Sequence, residues 1–296
     1  MKRFKNNPIL EPIPGHYWQN REVFNAAALY AGGKVHLLYR AIGDDGVSRL
    51  GYANSSDGYS IDMRQPEPAF GPASPCEDLG CEDPRLTQMD GSALMTYTAY
   101  GSNPMPSYQV SITEISLDDL VEGDWNWRER WLPFDGILNK NAVIFPKKID
   151  GHYVMYHRIE PYLCVAYSDD LKRWCSMKAV MRPRPHSWDS LKVGSTGPPF
   201  ELNEGWLFIY HGVDYNYVYR LGVLLIDRDD PENILYRSDQ PILEPTEEYE
   251  KFGKVPNVVF SCGSVMMDDR LLVYYGGADS VVCGVEYDLA ELLPKS

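Results

Sequence analysis

Short apolar runs bounded by Gly, Asp and Asn recur along the whole chain, and the helical spacing i, i+3, i+4, i+7 does not persist beyond about ten residues. The segments GGKVHLLYR (32–40), DGSALMTYT (90–98), DGHYVMYHR (150–158), NEGWLFIYHG (203–212) and DDRLLVYYGG (268–277) share one build: a turn, then an apolar strand ending on tyrosine. Aligning Tyr39, Tyr97, Tyr156, Tyr210 and Tyr274 gives spacings of 58, 59, 54 and 64 residues, so five units fill the chain. Another apolar run precedes each turn, as in VFNAAALY (23–30) and NAVIFPKK (141–148). A third often follows the tyrosine, as in SRLGYANSSDG (48–58) and YRLGVLLIDRDDP (219–231). Three or four strands and a linker per unit describe the blade of a β-propeller and exceed the rung of a solenoid. A β-sandwich is the competing all-β reading, but it does not account for five tyrosines in register. The pattern predicts an all-β chain, a single domain over 1–296 folded as a β-propeller of five blades.

Composition adds the kind of partner. Hydrophobic residues make up 44% of the 296 residues and aromatics 12%, which excludes disorder; 21 tyrosines and 7 tryptophans against 9 phenylalanines suggest ring faces bordering polar space, a surface suited to sugars. Twenty-eight Lys and Arg stand against 42 Asp and Glu, a net charge of -14, which argues against nucleic acid or an anionic membrane as partner and leaves room for a local basic pocket. The six cysteines form no CxxC pair and are spread over the chain, as in a reduced compartment. The opening MKRFKNNPILEPIPGHYW has no apolar stretch of signal length and no run of 18 apolar residues occurs, so a cytoplasmic location is expected. A homo-oligomer is compatible with the sequence.

In a radial array, equivalent positions of different units face the central axis at similar height. Just after the register tyrosine stand Arg40, Thr98, His157 with Arg158, and His211; the last unit offers Tyr275 and then Asp279. At the first run of each unit stand Asn25, Asp83 with Arg85, Lys140 with Asn141, and Asn257. Polar groups repeated at strand edges need solvent or a ligand, and a funnel mouth supplies both. Each residue also has a plainer reading. Asp83 in EDPR suits a structural ion pair with Arg40 or Arg85, or a turn before proline; Lys192 suits an exposed lysine, and His211 a hydrogen-bonded edge histidine. The histidines show neither HExxH nor a cysteine at close spacing, so no metal is expected. Neither GxGxxG, GxxxxGK[ST] nor GxSxG occurs, and no nucleotide cofactor or serine nucleophile is expected.

The stretches VFNAAALYAGGKVHLLYRA (23–41), SRLGYANSSDG (48–58), EDPR (82–85), NKNAVIFPKKIDGHYVMYHR (139–158), the span from KVGSTGPP to YHG (192–212), YRLG (219–222) and the span from VVFSCG to YYGGAD (258–279) resemble glycoside hydrolase family 130, the inverting β-mannoside phosphorylases and β-mannosidases. The resemblance covers nearly the whole chain, with its motifs in family order, and implies a five-bladed propeller. It further implies that Asn25, Arg40 and Asp279 hold the mannosyl residue, with Arg85 beside them. Asp83 is implied as the proton donor, acting through the mannose 3-hydroxyl. Lys140, Asn141, Lys192 and His211, with Tyr219, are implied to hold inorganic phosphate as co-substrate. Many relatives carry arginine where this chain has Lys140, a change from a bidentate fork to a point charge. Hydrolytic members are similar in fold but carry glutamates where this chain has Lys192 and His211; here hydrolysis would need Glu160, Glu201 or Glu204 opposite Asp83.

Inverting phosphorolysis needs a general acid on one face of the sugar and phosphate on the other, gathered by cationic groups and with no protein base. The opening GHYWQNREVFNAAALY and the compact length are similar to the β-1,2-mannoside members, which places Trp18 at the acceptor side. The expected activity is phosphorolysis of a small β-1,2-mannoside to α-mannose 1-phosphate. β-1,4-mannooligosaccharide or mannosyl-glucose phosphorolysis and hydrolytic mannosidase activity are the alternatives, and a non-catalytic sugar-binding propeller comes last.

Overall fold

A computed structural model describes residues 1–102 and 107–294. After a short β1 (Lys2–Arg3), blade 1 comprises β2 (Glu22–Ala31), β3 (Lys34–Ile42), β4 (Ser48–Ser55) and β5 (Met63–Arg64). Blade 2 comprises β6 (Gly80–Met89), β7 (Ser92–Gly101) and β8 (Ser107–Ser116). Blade 3 follows with β9 (Lys140–Ile144), β10 (Tyr153–Ile159), β11 (Tyr162–Ser168) and β12 (Cys175–Met181). Blade 4 has β13 (Lys192–Ser195), β14 (Phe200–Leu202), β15 (Gly205–Val213), β16 (Tyr219–Ile226) and β17 (Ile234–Arg237). Blade 5 has β18 (Val259–Met267), β19 (Arg270–Gly277) and β20 (Val281–Asp288). Strands within a blade are antiparallel, and blades 1 and 2 touch through one parallel pair, Ser48 with Gly80. The molecule is a five-bladed β-propeller. β1 leaves the N-terminus to pair with β20, Lys2 opposite Glu286, so the first residues complete the last blade and close the ring.

Each blade packs against two neighbours, so both faces of its middle strand are buried; that is why GWLFIYHGV reads as continuously apolar. The core is a ring of inter-blade clusters, such as Leu38, Leu50, Leu86 and Met95 between blades 1 and 2, and Val143, Tyr156, Trp206 and Phe208 between blades 3 and 4.

The register tyrosines belong to this core and do not offer ring faces to a ligand. Tyr97 donates to Glu77, which also binds Arg130; Tyr210 donates to Asp189 at 2.9 Å, beside Arg184 and Arg237; Tyr39 donates to Gln19 at 3.0 Å. In blade 5 this position is taken by Tyr275, which donates to Glu250 at 2.7 Å, with Arg3 on the same carboxylate at 2.8 Å. The tyrosines thus clamp the linkers between blades. In blade 3 the pairing shifts by one, so that His157 stands opposite Asn141 where Tyr39 and Tyr97 stand opposite Asn25 and Asp83.

Those three opposites share a backbone feature that makes the site. Strand pairing breaks between Phe24 and Ala27, between Glu82 and Arg85, and across Lys140–Val143. At each break one residue is left-handed: Asn25 at φ 50°, Asp83 at φ 50° and Asn141 at φ 54°. Asn and Asp are the non-glycine residues that tolerate this conformation, and such a bulge re-aims a side chain out of the strand's alternation. Asn257 is left-handed too, at φ 60°, but lies ahead of β18, whose own break falls between Ser261 and Gly263.

Candidate active site

The bulges of blades 1, 2 and 3 bring three side chains to one cavity of about 200 Å³ on the propeller axis, lined by Asn25, Arg40, Asp83, Lys140, Asn141, Tyr219 and Asp279. Arg158 and the apolar Val255, Val258 and Phe260 complete its wall. Seven of the residues expected from sequence therefore converge, although they are drawn from all the blades. A larger depression of about 580 Å³ near His152 and Trp174 lies apart from this cluster, and the concentration of buried charge identifies the axial cavity as the site.

Asp83 is buried, and its Oδ1 accepts from Asn25 Nδ2 at 2.9 Å and from Arg40 Nη1 at 3.3 Å. Arg40 is itself fixed by Glu82 at 2.6 Å and by Ser48 Oγ at 2.9 Å. Burial pushes the Asp83 carboxyl up, but Arg40, Arg85, Lys140 and the Asn25 amide outweigh it and hold it below the usual carboxylate range. Asp279, left-handed at φ 51° and partly exposed to the cavity, moves the other way. Withdrawal from water and the charges of Asp83 and Glu82 push it up to about 7, against the pull of Arg40 and Lys254.

The basic side of the cavity carries its own counter-ions. Lys140 Nζ lies 3.2 Å from Glu82, which thus bridges Lys140 and Arg40. Lys192 Nζ lies 3.3 Å from Glu160 and 5.9 Å from the centre of the Tyr219 ring. His211 is fully buried behind Arg158, whose Nη1 is 3.3 Å from its Nε2, and it packs on Phe260 and Tyr219. Burial, with Arg158, Arg85 and Lys192 nearby, pushes His211 well below its usual pKa, so it is neutral and accepts the Arg158 proton. The further cation is therefore Arg158, which the sequence placed only at an equivalent strand edge. Its signal was the odd HR after the blade-3 tyrosine, where the shifted pairing turns Arg158 inward.

Several side chains are held in place by missing atoms or by straps. A β-carbon on Gly276 would stand 2.3 Å from Asn25 Oδ1, and one on Gly194 would stand 2.7 Å from His211 Nε2; the first glycine leaves room for a polar group of the neighbouring blade, the second for the ring on the paired strand of its own blade. Asn25 Oδ1 and Asn141 Oδ1 are buried without a partner and belong to residues of the cavity wall, as expected where a ligand supplies the missing bonds.

Three expectations are corrected. His211, expected to hold phosphate, is fully buried against Arg158 and is not among the residues that line the cavity. Arg85 does not face the cavity: it is buried, donating to Thr196 O at 2.8 Å, Ser195 O at 3.3 Å and Asp83 O at 2.7 Å, so it ties the Asp83 bulge to blade 4. Trp18 does not stand at an acceptor side: it is 1% exposed, packs with Leu10, Val23 and Tyr39, and donates its Nε1 to Pro66 O. Its size and apolarity decided for the core.

Comparison with known proteins follows the same geometry. The family model described as β-1,4-mannooligosaccharide phosphorylase matches residues 1–294. A 1,2-β-oligomannan phosphorylase and a β-1,2-mannobiose phosphorylase, both of Thermoanaerobacter sp., are 42% and 43% identical; the matches cover 95% of this chain in each case, and 95% and 94% of the relatives. The β-1,2-mannobiose phosphorylase of Listeria innocua, solved with β-1,2-mannobiose, superposes with a TM-score of 0.87 at 26% identity, over 98% of this chain and 97% of that one. With the family model spanning almost every residue, the chain belongs to glycoside hydrolase family 130.

Proposed function

We propose that this chain, acting as one catalytic domain, phosphorolyses β-1,2-linked mannobiose or oligomannosides with inorganic phosphate, releasing α-mannose 1-phosphate. The observation that carries the reading is the make-up of the cavity: a hydrogen-bonded carboxyl, Asp83, together with the cations Lys140 and Arg158 in its wall, and Lys192 next to the wall residue Tyr219. Asn25, Arg40 and Asp279 receive the mannosyl residue. Lys140, Asn141, Arg158, Lys192 and Tyr219 receive phosphate, with His211 orienting Arg158 from behind. Phosphate attacks the anomeric carbon on the face opposite Asp83 while the bond to the leaving oxygen breaks and Asp83 supplies that oxygen's proton, so the configuration inverts.

Asp83 is ionised in the free protein, and the substrates themselves reverse this. A phosphate dianion on Lys140 offsets part of the cationic field that depresses Asp83, and the sugar displaces water, so both raise its pKa toward that of a donor. No metal or organic cofactor enters this scheme.

Linkage follows the relatives of highest identity given above, both β-1,2-specific by name, although the family description is of a β-1,4 enzyme. Hydrolysis is the second reading, favoured by Glu160 alone, since Glu201 pairs with Lys147 away from the cavity and Glu204 lies in the β14–β15 turn. Among the described residues no helix is long and apolar enough to cross a membrane, and we place the protein in the cytoplasm, where mannose 1-phosphate is retained. Its oligomeric state is open to a homo-oligomer. Reverse synthesis from mannose 1-phosphate and mannose tests linkage: a 1,2-linked disaccharide is expected, and a 1,4-linked product, or an acceptor requirement for glucose, contradicts the assignment.

A further inference from the structure

Four cations stand in and around the cavity, Lys140, Arg158 and Lys192 on its phosphate side and Arg40 on its sugar side, and they are neutralised in two different ways. Arg40 and Lys140 share Glu82, and Arg40 also meets Asp83; Glu82 and Asp83 have side chains only 8% and 10% exposed and are built into the bulge of β6. Arg158 and Lys192 share Glu160, whose Oε1 is 3.3 Å from Lys192 and whose Oε2 is 3.9 Å from Arg158. Glu160 sits in the two-residue turn between β10 and β11, and its side chain is 48% exposed while those of Arg158 and Lys192 are 9% and 14% exposed. The carboxylate therefore covers the two cations from the solvent side.

The geometry points to Glu160 as a displaceable counter-ion: it occupies the phosphate-binding cations in the free enzyme and swings out when phosphate binds, so that it sets the affinity for phosphate without touching the sugar. The argument rests on the phosphorylase reading above. Among the described residues Glu160 is the one carboxylate within 4 Å of Arg158 or Lys192, so its departure leaves two positive charges without a fixed partner, the charge of hydrogen phosphate. Glu82 cannot do the same. It is buried, and both its oxygens are engaged. An exposed carboxylate can rotate into water at small cost, since a half-solvated ion pair holds it only weakly. Competition of this kind also disfavours singly charged anions, which return less than the pair they break.

Glu160→Gln removes the charge and keeps the shape. Titration of the protein with inorganic phosphate alone, and phosphorolysis of β-1,2-mannobiose at varied phosphate, give the two readouts. Binding of phosphate is expected to tighten and KM for phosphate to fall about two- to fivefold, the size of a half-exposed ion pair, with KM for the mannoside unmoved. Looser phosphate binding, or no change, overturns the proposal and makes Glu160 a ligand or a bystander. A loss of phosphate-independent mannose release also overturns it, because Glu160 then acts as a base for water. The phosphorylase reading itself fails separately, if the wild-type protein forms no mannose 1-phosphate.

Discussion

Asp83 and Asp279 both feel the charge of Arg40 but titrate in opposite directions, and this sets three expectations for single residues. Asp83→Asn removes the proton given to the leaving oxygen, and turnover of mannobiose should fall about 10²- to 10⁴-fold. An aryl mannoside whose leaving group needs no proton should lose far less, and equal losses on both substrates would contradict the donor role. The low Asp83 pKa limits activity on the alkaline side in the free enzyme. Because bound phosphate raises that pKa, the alkaline limb measured at saturating phosphate should lie at higher pH than the limb measured at low phosphate. Asp279, pushed up to about 7 from an ordinary value of 3.8, contributes stability that is full below its unfolded pKa and lost as pH rises through 7. Asp279→Asn should therefore gain stability relative to wild type between pH 5 and pH 8 in urea unfolding; a difference constant across that window contradicts the assignment. Asp83, Asn25 and Arg40 were legible in the sequence because polar residues recur at equivalent strand edges of the repeat and because those stretches resemble the family's motifs. Trp18 and Arg85 were misread because a large ring and a buried guanidinium can each be consumed by packing or by backbone carbonyls, and residue type does not say which.

At the scale of the strand, function depends on bulges and on glycines in the strand alongside. A methyl group at Gly194 meets the His211 ring, so Gly194→Ala should displace His211 and with it Arg158, raising KM for phosphate about tenfold or more while circular dichroism stays that of the wild type. An unchanged KM would show that His211 does not orient Arg158. Arg85→Met leaves three buried carbonyls without a donor and should cost about 2–5 kcal/mol of stability. The five repeats and their apolar strands were visible in the spacing of the tyrosines. The bulges were not, because one extra residue leaves the composition unchanged and shifts only the pairing, which is why Tyr156 stood in for His157.

The whole molecule is a ring closed by its first residues. Arg3 meets Glu250, and Phe4 lies over Gly284, where a β-carbon would stand 2.1 Å from the ring. Removing residues 1–4 should expose a strand edge, strand the buried Glu250 charge and lower Tm by at least 5 °C or so. A protein of net charge -14 can still gather an anion, because Arg40, Lys140 and Arg158 line the axial cavity against two carboxyls, Asp83 and Asp279, so the local balance is not that of the whole chain.

The central claim is that this axial cavity uses phosphate, in place of water, to break a β-mannoside with inversion. Incubation of the protein with β-1,2-mannobiose, with and without inorganic phosphate and followed by phosphorus and proton NMR, tests it most directly. The account predicts α-mannose 1-phosphate and one equivalent of mannose with phosphate present, and negligible cleavage without it. Release of free mannose at the same rate in the absence of phosphate, or a β-configured sugar phosphate, would contradict it.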